Sequence, residues 1–309
     1  MNLACGNTAP HIPIARVEFG RVSVLFGEKN GKYPDGNQVL IRGSDIRAAF
    51  DTPLVSNYIG AEFDATELVV MGHVHEDHMT GLHRIPRAEV YVHEAELPAI
   101  RNWDGMFAAY GNATRDASAM LAMLQRDFFY APRPDARGYA DGATWDLGKS
   151  RIRAFHMPGH TAGHCVLVVE PEGVAFIGDI DLTGFGPYYG DAYSSLHDFR
   201  RSLARLPEIP AKIWVTSHHR GVYTDRTHFL RDLAAFAAKM DAREQRLLTY
   251  LNESPKTLEQ LVELRVLYPR GYESPWAVSA ETRTITQHLA EMLADGKVKR
   301  DERGLYSAG

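Results

Sequence analysis

The sequence predicts an α/β protein: a layered sandwich of strands and helices, followed by a small C-terminal module of two helices and a hairpin. Three observations carry this. Short apolar runs bounded by Gly, Asn and Pro recur before residue 95 and again between 151 and 215, which marks strands. Helical spacing of apolar residues fills the stretches between and after them. Strands then helices, twice over, fit layers stacked on shared cores. At roughly 150 residues per domain, the 309 residues suggest two units, 1–240 and 241–309.

Val22–Phe26, Gln38–Ile41 and Ile46–Phe50 read as strands within a strand-rich stretch from 17 to 51. Glu67–Met71 is a further apolar run that ends directly in a histidine cluster, and 89–93 adds another strand. From 94 to 140 the character changes. Thr114–Phe129 places Ala117, Met120, Leu121, Leu124 and Phe128 near helical spacing, with Trp103, Phe107, Tyr110, Phe129 and Tyr130 around it. These aromatics either pack the helix onto a sheet or form a lid over a cleft. Strands return at 151–156, 165–170 and 174–178, and Cys165 reads as a core residue of the second of these. A helix is expected over Ser195–Leu206, a strand at Ile213–Val215, and helix over most of 225–251. In the second unit, helices are expected at 257–265 and 279–294, the latter with Ser279 as N-cap and a stripe of Ile285, Leu289, Met292 and Leu293. Gly296 stops it, and Lys297–Arg300 with Gly304–Tyr306 make a hairpin, an order that suggests a winged helix.

Composition narrows the function classes. Hydrophobic residues make up 45% and charged residues 24%, enough to bury a full core. Thirty-four basic against thirty-nine acidic residues give a net charge of −5, which argues against a chain-wide grip on nucleic acid or an anionic membrane. Two cysteines, Cys5 and Cys165, permit one disulfide but exclude a disulfide-stapled scaffold. No apolar run approaches the ~18 residues of a membrane span. Met1–Gly20 lacks a basic start followed by an apolar stretch, and Leu3-Ala4-Cys5 lacks the hydrophobic segment that should precede a lipidation box, so a cytoplasmic protein is expected.

The strongest signal is His73-Val74-His75-Glu76-Asp77-His78, directly after an apolar strand. Packing does not explain so many nitrogen and carboxylate donors at a strand end. Such donors suit zinc or a similar divalent ion.

This His-x-His-x-Asp-His run resembles the signature of the metallo-β-lactamase-fold hydrolases, and further matches come in that family's order. Phe50-Asp51-Thr52 resembles the aspartate that steadies the ligand loop, and Pro158-Gly159-His160-Thr161-Ala162-Gly163-His164 the third ligand motif. Gly178-Asp179 resembles the bridging-aspartate motif, and Thr216-Ser217-His218 stands where the family has Pro-Gly-His. The resemblance covers roughly 15–230 and implies a four-layer αββα sandwich with two divalent metal ions at one edge. It implies that His73, His75 and His160 hold the first ion, that Asp77, His78 and His218 hold the second, and that Asp179 bridges them. His219 competes with His218 for the last place. Zinc is the default, and the same donors accept iron, manganese or nickel. Two such ions about 3.5–4 Å apart share a water, lower its pKa toward ~7 to give a bridging hydroxide, and polarise a carbonyl or phosphoryl oxygen. Asp77 would also guide the water's proton. His75 stands where oxygen-reducing relatives carry a carboxylate, which favours hydrolysis. His164 reads as a hydrogen-bonding residue behind the ligand loop, while Tyr188 and Tyr189 are candidate substrate contacts.

The C-terminal module resembles the winged-helix domain of the β-lactamase-like protein 2 branch. That branch includes an endoribonuclease, so RNA enters as an alternative substrate. Charge disfavours it: residues 241–309 hold ten basic and eleven acidic residues, and the 279–294 helix carries only Arg283 as a base. The expected substrate is a small ester, thioester or lactone. A nuclease or phosphodiesterase is the alternative, and a non-enzymatic winged-helix sensor of metal or ligand is the lesser one. The module is then packing surface, the face of a homodimer, or part of the substrate cleft.

Overall fold

The computed structural model describes residues 14–111 and 116–309. Cys5, the first residues of the chain and the start of the 114–129 stretch lie outside the described residues. β1 (Arg16–Phe19), β2 (Val22–Leu25), β3 (Gln38–Arg42) and β4 (Arg47–Phe50) form an antiparallel meander, with the one-turn α1 (Glu28–Gly31) between β2 and β3. Two short turns, α2 (Ser56–Ile59) and α3 (Ala61–Asp64), lead to β5 (Leu68–Val70), which pairs parallel to β4. β6 (Glu89–His93) and β7 (Arg137–Tyr139) extend this sheet in parallel, and α4 (Leu97–Arg101), α5 (Trp103–Ala109) and α6 (Ala117–Phe128) lie between them in sequence.

The second sheet runs antiparallel through β8 (Thr144–Asp146), β9 (Arg151–His156), β10 (Cys165–Glu170) and β11 (Val174–Phe176). After α7 (Leu196–Arg205), β12 (Ile213–Val215) joins parallel to β11, and β13 (Val222–Tyr223) closes that edge. α8 (Arg226–Glu253), α9 (Leu258–Leu264), α10 (Ala277–Ala294) and the hairpin β14 (Val298–Arg300)–β15 (Tyr306–Ala308) complete the chain.

Three cores follow from the two-residue period of the strands. Phe50, Val70, Leu167, Val169 and Phe176 face inward, between the two sheets. Their alternates Ala49 and Val69 turn outward to α5 and α6, through Met106, Met120 and Leu124. Val166 and Val168 turn the other way, onto Phe199 of α7 and Phe229 of α8. Strands buried on both faces therefore read as continuous apolar runs, as Cys165–Val169 does. The mixed α/β sandwich with two sheets matches the predicted fold class. A fourth cluster joins Leu247 and Leu251 of α8 to Leu261, Ile285, Leu289 and Met292.

Position 240 falls within α8, which runs unbroken to Glu253. The C-terminal helices and hairpin match the expected order, with one correction. α10 begins at Ala277, with Trp276 at the N-cap position and no side-chain cap, so Ser279 lies inside it and donates its hydroxyl to the Trp276 carbonyl. No helix among the described residues is long and apolar enough to cross a membrane.

His288, on α10, ties the C-terminal helix to the sandwich and gives stability a pH dependence. Its ring is fully buried, with Nε2 2.8 Å from the Tyr189 hydroxyl. Burial, then the charges of Arg200 and Arg243, lower its pKa to about 3. The unfolded chain takes up this proton near pH 6.5 while the folded chain does not. Stability is therefore full above that pH and falls as the pH drops from about 6.5 toward 3, by up to about 1.4 kcal/mol per pH unit from this residue. His288→Gln is expected to flatten the urea-midpoint-versus-pH curve between pH 6 and 4. An unchanged slope would remove His288 as its source.

Candidate metal centre and cleft

The ligand-bearing loops gather at one edge because β4, β5, β11 and β12 all end there. β4 delivers Asp51, β5 delivers the 73–78 loop, β11 delivers Gly178-Asp179, and β12 delivers Thr216-Ser217-His218. His160 comes from the turn between β9 and β10. Asp51 takes φ +48 and uses both carboxylate oxygens, one accepting from the Gly72 amide at 2.6 Å and the other 2.8 Å from His78 Nδ1.

Two donor sets result. His75 Nδ1 lies 3.2 Å from His73 Nε2 and 3.1 Å from His160 Nε2. Asp179 Oδ2 is 3.3 Å from that same His160 atom. On the other side, His218 Nε2 is 3.1 Å from Asp77 Oδ2, and His78 Nε2 is 3.1 Å from Asp179 Oδ1. The two oxygens of Asp179 thus face different sets. His73, His75, His160 and Asp179 could hold one ion, and Asp77, His78 and His218 another.

The outer nitrogens show that these atoms suit a cation. His78 Nδ1 donates to Asp51, His160 Nδ1 to the Tyr188 carbonyl, His218 Nδ1 to the Asp35 carbonyl, and His75 Nε2 to Asp191 Oδ2. Each leaves a lone pair on the inner nitrogen, aimed at other lone pairs or carboxylate oxygens. His78 Nε2, His218 Nε2 and Asp179 Oδ1 are buried without a hydrogen-bond partner. Buried polar atoms left this way are costly, and divalent ions would satisfy all three. Burial, reinforced by the neighbouring His78, holds His73 well below the usual histidine pKa. Burial opposes ionisation of Asp179, but His218, His78 and His73 pull its pKa well below the ordinary value.

His164 sits behind this cluster. Its Nδ1 is 3.2 Å from the Met157 carbonyl and its Nε2 accepts from the Asp179 amide at 3.3 Å, which steadies the aspartate. Gly178 is required here: φ is +57 and a Cβ would meet His164 Nε2 at 2.5 Å. His219, at φ +61, stands outside both donor sets, with its ring centroid 6.3 Å from that of His218.

Above the donors opens a cleft of about 410 Å³. Its walls are aromatic and come from four separate parts of the chain. Tyr33 follows α1, Tyr110 ends α5 beside Met120 and Leu124 of α6, and Phe185 and Tyr188 come from the loop after β11. Tyr268, Tyr272 and Trp276 come from the segment between α9 and α10. Tyr33 and Tyr110 donate their hydroxyls to Glu76, and Tyr188 donates to Asp191 at 3.1 Å. With those hydroxyls engaged, the walls present mainly ring surface. Lys32 is the one Lys or Arg on the lining among the described residues.

Of the two candidate substrate contacts, only Tyr188 lines the cleft. Tyr189 is corrected: it is fully buried, with its hydroxyl against His288. Both readings of the 103–130 aromatics have a counterpart, since Trp103, Phe107 and Tyr130 pack the core while Tyr110 reaches the cleft. Sequence reasoning missed Asp191, which orients His75, because no motif surrounds it. It also missed the C-terminal aromatics, because nothing local ties residues 268–276 to a loop at 73–78.

A two-sheet sandwich with His and Asp donors gathered beyond its strand ends defines a class of metal-site proteins. The family model of the metallo-beta-lactamase superfamily matches residues 68–219, and the chain belongs to that superfamily. It is 31% identical to the acyl-coenzyme A thioesterase MBLAC2 of Gallus gallus over 46% of this chain and 51% of that one. It is 26% identical to a beta-lactamase-like protein 2 homolog of Drosophila melanogaster over 48% of each. The chain spans about half the length of these two curated relatives. Among solved structures, a metallo-beta-lactamase family protein from Thermus thermophilus superposes with a TM-score of 0.65 at 26% identity, covering 89% of this chain and 94% of that one.

Proposed function

We propose that the chain is a dinuclear metal-dependent hydrolase of small esters or thioesters that carry an apolar acyl group. The observation that carries this is the pairing of two donor sets, joined through Asp179, with an aromatic cleft directly above them. The thioesterase name of the Gallus gallus relative supports the same reading. In it, His73, His75, His160 and Asp179 hold one ion, and Asp77, His78, His218 and Asp179 the other, with zinc the first candidate before iron, manganese or nickel. When bound, the ions supply an acidified water and polarise the carbonyl.

The chain's own groups do the rest. Asp77 Oδ2 lies at the cleft floor beside His218 and accepts the proton of the attacking water. Asp191 fixes the tautomer of His75, and Asp51 that of His78. Tyr110 lies flat against His75, with ring centroids 5.7 Å apart and planes 11° apart, and keeps bulk water from that face. The walls bind the acyl group through ring surface. Outside the donor sets the lining offers a phosphodiester little, because Lys32 is its one Lys or Arg among the described residues. We take residues 1–240 as the hydrolase unit and 241–309 as a module that completes the cleft.

Zinc-loaded protein is expected to hydrolyse acyl thioesters, to lose this activity to a chelator, and to regain it when zinc returns. Labelled single-stranded RNA in the same assay should stay intact. Cleaved RNA with untouched thioesters, esters and lactones would replace this reading with a nuclease.

A further inference from the structure

We propose that the segment between α9 and α10 is the acyl-selecting wall of the cleft, and that Glu281 is the positioning residue that sets it. The inference rests on the acyl-hydrolase reading and goes further by assigning selectivity to the C-terminal module. Glu281 does not touch the cleft. It lies on α10, fully buried, and its carboxylate accepts three consecutive backbone amides. Oε1 takes those of Val266 and Leu267, and Oε2 takes that of Tyr268 at 3.1 Å.

A buried carboxylate is costly unless its lone pairs are satisfied, and packing alone would be served by an apolar side chain. What this carboxylate achieves is register. The chain enters through Arg265, a non-glycine residue at φ +62, and the three amides are then pinned in a row. Pinning Tyr268 also sets the aromatic rings around it. Its ring stacks on Tyr272, with centroids 4.7 Å apart and planes 13° apart, and meets Phe185 across the cleft at 5.8 Å.

The cleft mouth gives an independent reason for an apolar ligand. Tyr33, Phe185 and Tyr272, each more than 40% exposed, all line it. Exposed aromatics gathered on one rim mark a binding surface. An acetyl group at the metal centre would leave this rim and the Tyr268 wall untouched, whereas a chain of about ten carbons would run along them.

The test compares acetyl and decanoyl thioesters of one thiol on zinc-loaded full-length protein. Glu281→Gln keeps one oxygen for Val266 and Leu267 but turns an NH2 group toward the Tyr268 amide, which releases that residue. The decanoyl-to-acetyl ratio of kcat/KM is expected to fall about tenfold, mainly through the KM for decanoyl substrate. Tyr272→Ala, at the exposed rim where folding is not at stake, should move the ratio the same way. An unchanged ratio in both variants, or equal losses on both substrates, overturns the assignment.

If the wild type turns over no acyl substrate, the hydrolase reading fails but the wall is still read by binding. Titration with a non-hydrolysable decanoyl thioether should quench tryptophan fluorescence saturably, Trp276→Phe should remove that quench, and Tyr272→Ala should weaken it about tenfold. No saturable quench in the wild type overturns the wall itself.

Discussion

Changing His73 and His75 together to alanine is expected to remove most bound metal and to cut thioester hydrolysis by at least about 10³-fold. The two residues supply two of the three imidazoles around the point where His73, His75 and His160 converge. Only His160 and a single oxygen of Asp179 remain there, too few donors for tight zinc binding. The second set is expected to weaken as well, because the two oxygens of Asp179 face both donor sets and the first would no longer hold a cation. Metal content per chain and initial rates should be measured on the same preparation, beside a melting curve showing that the variant is folded. Unchanged metal content and rate in the double variant would sink the assignment of both ligands.

Phe50→Ala is expected to destabilise the fold by about 3–5 kcal/mol. The ring is fully buried between the two sheets, with its centroid 5.8 Å from that of Phe176 on the opposite sheet. Close packing on both sides leaves little room for collapse into the void. The urea midpoint should fall with an unchanged slope, because the surface exposed on unfolding hardly alters. Zinc affinity should fall too, since Asp51 follows directly and its carboxylate anchors both His78 and the Gly72 amide. A cost under about 1 kcal/mol would mean that the sheets close up over the gap.

Much of this was legible in the sequence, for physical reasons. Strands such as Cys165–Glu170 are buried on both faces, so their apolar runs are unbroken. The donor loops are short and contiguous, so each presents its ligands as a compact motif. β7, β8 and β13 gave no such signal, being only two or three residues long, and β7 and β8 are also largely exposed, as in the Thr144–Asp146 strand. Ser279 looked like a cap because its residue type suits that place. The helix instead starts after Trp276, where the apolar Ala277 and Ala280 are drawn into the interior. The cleft was the least legible part. Its wall is assembled from four distant segments, and an aromatic at 33 or 272 carries no local mark of the surface it will face. Asp191 is similar, since only the fold brings it within 2.8 Å of His75.

The 28-residue α8 spans about 42 Å, with Phe229, Leu233 and Phe236 in the outer layer of the sandwich and Leu247 and Leu251 among the C-terminal helices. One rigid rod thus serves two cores and leaves no flexible joint between them. The C-terminal aromatics are in effect a fixed jaw rather than a hinged one. Exchanging this tail between proteins by recombination would have to carry the whole rod with it, because a break after Glu253 parts Leu247 and Leu251 from Leu261, Ile285, Leu289 and Met292, while a cut at 240 splits the helix that joins the two cores.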